Sequence, residues 1–367
     1  MMKRSITIGW MLCAVMMAAA QQLPDPHFEN WSGKFKDDAQ LIDWHGSNVT
    51  QIGLKFTFMY QRPGRTGSCA YVTDRLIGAP KLNLAATGPG YLSLGVPWQY
   101  LKGLNLNSAT AGTEGGIQWT HRPDTMVVWV KRTGEHTDKE DFHLLFYSWV
   151  GTSKSSKYKN KAGTSTTTER INEESDIRTA TDGNEFGVDE PAQQVAEGWY
   201  RARAKYDEWT QIKVPVLYKH DGKPTMCNVI FSAGNYPAFR ANDGLYDGNG
   251  LYVDDVQLIY SSSIHSLFIN GKEWKGFNPN TDKVQTYRLT DEQKAGLDAG
   301  ESVKIEARRG IGSLTNIKGQ TARFAGRRLD SSEMTITPGE INGEPWIITV
   351  KAEDGSSTHV YKIKIEK

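Results

Sequence analysis

Residues 248–260 read GNGLYVDDVQLIY, a Gly-Asn-Gly turn feeding a strand whose apolar side chains recur at every second position. On that period Tyr252, Val256, Leu258 and Tyr260 share one face, with Asp254 among them. Residues 53–60 (GLKFTFMY) alternate too, with Leu54, Phe56 and Phe58 opposite Lys55 and Thr57. Further short strands are predicted at 28–31, 69–73, 90–94, 124–132, 142–150, 212–218 and 225–231, bounded by Gly, Pro or charged turns. Seven or more such strands without a crossover helix predict an all-β antiparallel sandwich and exclude a βαβ architecture.

The rhythm breaks twice. Residues 152–197 are rich in Ser, Thr, Lys and Glu and poor in large apolar side chains, so they read as a long polar insertion. Ser261-Ser262-Ser263 then reads as a linker, after which a new alternation begins at Ile264. A hairpin is expected around Asp354-Gly355, with Trp346, Ile348 and Val350 facing one way before it and Tyr361, Ile363 and Ile365 after it. The pattern predicts one domain over 21–260 and a smaller immunoglobulin-like sandwich over 264–367.

The N-terminus changes the picture of where the chain works. Lys3 and Arg4 precede an apolar run that ends in Ala18-Ala19-Ala20, the layout of a secretory signal peptide over residues 1–20. The run is too short for a transmembrane segment, and Leu12 before Cys13 argues against a lipid anchor. Export to the periplasm, cell surface or medium is expected. Loss of Lys3 and Arg4 lowers Lys+Arg from 43 to 41 against 42 Asp+Glu, which argues against nucleic acid as a partner. Cys69 and Cys227 remain, as one disulfide or as two buried thiols.

Residues 24–260 resemble the carbohydrate-metabolism domain family of Bacteroidetes known as PCMD. The resemblance rests on Phe28-Glu29-Asn30-Trp31, HRPDTMVVWV at 121–130, WTQIKVPVLY at 209–218, MCNVIFSAG at 226–234 and the closing GNGLYVDDVQLIY. It implies a galactose-binding-like jelly roll and a carbohydrate ligand. Residues 264–367 resemble a bacterial cadherin-like or immunoglobulin-like module through SLFINGKEWKGFNP and ITVKAEDGSSTHVYKIKI, which implies a spacer. Envelope proteins are further partners to expect.

Related sugar-binding jelly rolls often hold a structural calcium between first-strand and last-strand oxygens, which singles out Glu29, Asp254 and Asp255 as metal ligands. The alternative is that Asp254 caps backbone N–H groups or pairs an arginine while Glu29 is solvated. Sugars stack on aromatic rings, so Trp98, Tyr100 and Trp119 in expected loops, Tyr147 and Trp149 on one strand face with His143, and Tyr236 and Arg240 before the closing strand are the ligand-binding candidates. For any single one of them, core or incidental surface is the favoured reading. No local motif for hydrolysis, phosphate binding or dinucleotide binding is present, so no catalytic residue is assigned. Three functions stay open: glycan binding, a glycoside hydrolase, and envelope adhesion. Two convergent carboxylates, one with a raised pKa, would favour the hydrolase. A shallow aromatic groove would favour binding.

Overall fold

The computed structural model describes residues 21–33, 39–51, 54–82, 84–100, 110–151, 155–159, 167–171, 178–180, 193–235, 244–315, 321–324 and 326–367. The expected leader and most of the polar insertion lie outside them. Nine of the eleven strands in the sheet of the first sandwich, all but the two-residue His45–Gly46 and Ile117–Gln118, are β1 (Met59–Pro63), β2 (Ser68–Thr73), β3 (Tyr91–Ser93), β4 (Thr125–Thr133), β5 (Phe142–Val150), β6 (Gln193–Ala202), β7 (Tyr206–Tyr218), β8 (Met226–Ser232) and β9 (Gly250–Ile259). They run in the antiparallel order β3-β8-β5-β6-β7-β4-β9-β2-β1 within one sheet. The chain is all-β apart from one short α-helix and one 3₁₀ turn among the described residues, as expected.

The sheet folds on itself at β7. Tyr206 to Pro215 of β7 pair with β4, whereas Val216 to Tyr218 pair with β6. Proline has no N–H to give a ladder, and Pro215 stands where β7 changes partner. The result is a back leaf (β3, β8, β5, β6) and a front leaf (β4, β9, β2, β1). Their facing side chains, among them Leu144, Phe146, Val229 and Phe231 from behind and Val128, Val130, Leu251 and Val253 from in front, form one core. The lead-in plugs one side of it: Phe28 packs on Trp44 at 5.3 Å between ring centroids, and Trp44 stacks on Phe231 at 5.7 Å.

Most predicted strands stand, but 28–31 keeps only Trp31–Ser32, paired with Gln40–Leu41, and 53–60 does not stand. It divides between the hairpin Val49–Gln51/Leu54–Phe56 and the start of β1. The closing strand is corrected more deeply. Val127 pairs with Gln257 but Trp129 pairs with Asp254, so Val128 faces both Asp255 and Val256. This is a β-bulge, with Asp255 at φ 46°. One extra residue inverts the alternation: Leu251 and Val253 point into the core before it, Val256, Leu258 and Tyr260 after it. Tyr252 and Asp254 therefore lie on the outer face of the front leaf, not among the core side chains.

The second sandwich has its own core. β10 (Ser266–Ile269), β11 (Lys272–Glu273), β13 (Ile305–Arg309) and β14 (Arg327–Arg328) form one sheet; β12 (Val284–Arg288), β15 (Met334–Thr337), β16 (Trp346–Lys351) and β17 (Thr358–Glu366) form the other. The expected β16–β17 hairpin is present, with Gly355 at φ 70° in its turn, and Ile348, Val350, Tyr361, Ile363 and Ile365 are all fully buried. The helix α1 (Asp291–Asp298) is held by a capping box between Thr290 and Gln293.

Buried charge joins the two sandwiches. Arg122, just before β4, donates at 2.7 Å to both Asp330 and Glu333, and its backbone N–H donates to Glu353. Arg327 grips Glu333 through two 2.7 Å hydrogen bonds, and Arg309 Nη1 lies 3.2 Å from the same carboxylate. Arg327 also sits over the Tyr218 ring at 5.2 Å. Burial alone would raise the Glu333 pKa, but the bonds from Arg327 and the three guanidinium charges hold it below the usual glutamate value.

Glu333→Ala leaves those guanidiniums buried without their shared carboxylate and is expected to cost about 3–5 kcal/mol in urea unfolding. A depressed folded pKa gives stability that is present above the unfolded value of 4.5 and is lost as pH falls through the folded value. Glu333→Gln should therefore flatten the acid limb of the stability profile relative to the natural chain. An unchanged acid limb would remove Glu333 from that role.

Candidate functional site

The outer face of the front leaf carries half-buried aromatic side chains in a row across the strands. Tyr60 of β1 pairs with Tyr71 of β2, Tyr71 with Tyr252 of β9, and Tyr252 with Lys131 of β4. Directly opposed residues on one sheet face bring their side chains into contact. Ring centroids are 6.2 Å apart for Tyr60–Tyr71 and 4.4 Å for Tyr71–Tyr252, and Trp209 of β7 extends the row at 6.3 Å from Tyr252. Cations interleave with them: the Arg62 guanidinium lies 4.8 Å from the Tyr60 centroid, and Lys131 Nζ lies 4.8 Å from that of Tyr252. At the Tyr60 end an open groove of about 620 Å³ lies among Tyr60, Arg62, Tyr71, Arg75, Asp247 and Gly248.

From the sequence Tyr252 is placed on the core face and Trp209, after the polar insertion, could fold back over the sandwich or line a binding surface; Tyr60, Tyr71, Arg62 and Lys131 are not singled out. The signal was there as an aromatic and a basic residue two positions apart on an outward face, Tyr60 with Arg62 in β1 and Trp129 with Lys131 in β4. It is hidden because outward and inward positions look alike until the sheet is known.

The aromatic residues expected to bind ligand are placed elsewhere. Trp119, Tyr147 and Trp149 are at most 1 % exposed, and the Trp119 indole donates to His121 O at 2.7 Å. Tyr147 and Trp149 do share a strand, but the outer face of the back leaf is itself covered: Tyr91, Leu145, Tyr147, Trp199 and Ile230 form a buried cluster against which Leu314 of the second sandwich packs. His143 of the same face is buried, which lowers its pKa to about 3. Trp98 and Tyr100 lie in a strand (Val96–Tyr100) instead of a loop, paired with Thr110–Glu114. Tyr236 and Arg240 lie outside the described residues. Cys69 and Cys227 are buried free thiols, and burial pushes Cys69 up to about 12.

Glu29, Asp254 and Asp255 do gather, around the β1–β2 turn. Asp254 accepts the Arg65 N–H and the Asp255 N–H, each at 2.8 Å, and Glu29 accepts the Ser68 N–H at 2.9 Å. Asp255 is held between Arg65 and His27, whose Nδ1 is 2.6 Å away, while the Arg65 guanidinium lies 3.8 Å from the Trp129 centroid. Burial pushes the Asp254 carboxyl up to about 6. Calcium needs six to eight oxygens converging on one point. Here N–H donors and a guanidinium occupy the carboxylate oxygens, and among the described residues no three His, Cys, Asp or Glu side chains are grouped to hold a metal. The residues do not fit calcium; they cap a turn.

A convergent acid pair exists at another place. Asp74 follows β2 and Glu140 precedes β5, and they are 0 % and 1 % exposed. Asp74 Oδ1 accepts the Gly90 N–H at 2.8 Å, and Glu140 Oε2 accepts Asn249 Nδ2 at 2.6 Å. Burial raises both pKa values, and the charge of Glu140 raises that of Asp74 further. Among the described residues Asp74 Oδ2 has no donor, and a proton shared by the two acids would satisfy it. Glycosidic carboxylates stand about 5–10 Å apart across an open cleft. This pair is closed and in mutual contact, so it holds structure.

Chelation is expected to leave the melting curve in place, whereas Asp254→Ala should cost about 1–3 kcal/mol by freeing two turn amides. A drop of several degrees with chelator, reversed by calcium, would restore the metal. For the acid pair, a raised folded pKa gives stability that is present below the unfolded aspartate value of 3.8 and is lost as pH rises through the folded value. Asp74→Asn keeps the acceptor for Gly90 and supplies a permanent donor to Glu140. It should hold its melting temperature between pH 5 and 8 better than the natural chain, and an equal loss at every pH would rule out the shared proton.

No protein-family model matches the chain, and no curated protein matches it, so the PCMD resemblance gains no support. Two solved structures are similar in part. One, from Bacteroides thetaiotaomicron and described as a "putative glycoside hydrolase", is 18% identical with a TM-score of 0.42, covering 64% of this chain and 70% of its own. Another so described, from Bacteroides vulgatus, is 16% identical with a TM-score of 0.37, covering 64% of this chain and 96% of its own. Likenesses this distant carry no argument about what the chain does.

Proposed function

We propose that the chain binds carbohydrate on the outer face of the front leaf, as an exported protein. The carrying observation is the direct opposition of Tyr60, Tyr71 and Tyr252 across three strands. Pyranose rings present C–H faces that stack on such rings, and a row spaced by strand pairing, about 4.8 Å per step, follows an extended chain better than a single sugar. The phenol groups and flanking cations supply hydrogen bonds to hydroxyls. The apolar run behind Lys3 and Arg4 supports export. Among the described residues the acid pair Asp74 and Glu140 is sealed and gives a hydrolase reading no support.

A glycan array probed with residues 21–367 is the test. Tyr71→Ala and Tyr252→Ala should each weaken binding to any positive glycan roughly three- to tenfold, as loss of one aromatic contact implies. Trp149→Phe, at a buried position on the back leaf, should leave affinity unchanged. Equal affinity of the tyrosine variants and the natural chain would move the site off this face.

A further inference from the structure

The groove at the Tyr60 end differs from the rest of the row in its charge. Arg62 stacks over Tyr60 at 4.8 Å and lies 5.8 Å from the Tyr71 centroid. Its Nη1 donates to Gln61 O at 2.9 Å, which leaves the other edge of a five-donor fork unused. Arg75 donates from Nη1 to the Tyr60 hydroxyl at 2.7 Å. Among the described residues no carboxylate pairs with either guanidinium, although ion pairs hold most other arginines of the two sandwiches. Asp247 also lines the groove, but its Oδ1 is turned to accept the Leu76 N–H at 2.8 Å. Two guanidiniums thus meet one carboxylate that is already engaged by backbone. The contact with Tyr60 holds the Arg62 guanidinium at the groove that it lines.

We propose that this groove is a subsite for an anionic sugar, taking the carboxylate of a uronic acid or a sulfate ester. The inference rests on the carbohydrate reading of the same face and adds the class of glycan. A planar guanidinium fork matches both anions through paired N–H···O bonds, and a pre-stacked fork loses little freedom on binding. In the proposed complex Arg62 holds the anion, Arg75 gives a second donor while positioning the Tyr60 hydroxyl, and the Tyr71 ring receives the sugar face. Lys131, one strand pairing beyond Tyr252, places a further cation along the row for the next acidic residue.

Calorimetric titration of residues 21–367 with three polymers tests this. Polygalacturonate carries carboxylates, dextran sulfate carries sulfates, and dextran carries neither. Binding of either acidic polymer in preference to dextran is expected, and the polymer that binds identifies the anion. Arg62→Gln should weaken that binding between about ten- and a hundredfold, the size of a charge-assisted hydrogen-bond pair. Arg62→Lys should recover only part of it, since an ammonium lacks the fork. Lys213→Gln, an exposed cation on the same leaf, should change affinity less than twofold. Matching losses for Arg62→Gln and Lys213→Gln would mean diffuse attraction and overturn the subsite. Binding of dextran but of neither acidic polymer would overturn the anionic class and leave the carbohydrate reading standing. If the natural chain binds no glycan on the array and none of the three polymers, both fall. Folding of each variant is checked by its unfolding midpoint, and Arg75→Gln gives a second, independent loss if Arg62→Gln fails to fold.

Discussion

The bulge at Asp255 and Val256 sets which way β9 looks at each of its ends, and the aromatic row exists because of it. Without the extra residue, the parity that buries Val256, Leu258 and Tyr260 would also bury Tyr252 and turn Leu251 and Val253 to water. The bulge is pinned from outside the sheet. Val256 N–H donates to Pro26 O at 2.9 Å, and Asp255 is gripped by His27 and Arg65. Asp254 then caps the Arg65 amide, which holds the Arg65 guanidinium across Trp129. A left-handed backbone at an aspartate costs on the order of 1 kcal/mol or more, and this set of bonds offsets it.

The charged seam between the sandwiches solves a different problem. Three buried guanidiniums are expensive to desolvate, and an ion cluster of this kind is weak evidence for stability as such. What it supplies is orientation, since Arg122 of the first sandwich bonds Asp330, Glu333 and, through its backbone N–H, Glu353 of the second. Beside that seam Leu314 packs on the buried cluster that contains Tyr147 and Trp199, which covers the outer face of the back leaf. The front leaf is left as the open one.

How much of this could be read from the chain varies with the range of the interaction. Strand β5 was legible at 142–150 because FHLLFYSWV is apolar apart from His143 and Ser148 and follows a charged turn, and the hairpin at Asp354-Gly355 because its turn residues are local. The same uniformity made β5 uninformative about faces, since all but its last residue are buried. Asp254 was assigned to the wrong face because a period of two was carried through a bulge that depends on Pro26 and Val128. Arg122 and Glu333 are 211 residues apart, and neither has a local pattern that announces its partner. Glu29, Asp254 and Asp255 were correctly drawn together by the closing strand and the lead-in, but their partners are turn amides and Arg65, which only the β1–β2 register brings near.

The sealed acid pair and the open groove are one construction. Thr73 and Gly248 line the groove, and the residue after each belongs to the buried network behind it. Asp74 N–H donates to Asn249 O at 2.9 Å, Gly248 N–H donates to Asp74 O at 3.0 Å, and Asn249 Nδ2 is fixed on Glu140. The ends of β2 and β9 are thus tied through Asp74, Asn249 and Glu140, and Arg75 leaves for the groove from the next position. Two full charges so close would repel at low dielectric, and burial together with the charge of Glu140 raises the Asp74 pKa. Ionising both would push apart the strand ends that carry Tyr71 and Arg75. A buried pair that cannot touch a ligand therefore still sets how closely the cations and rings in front of it stand.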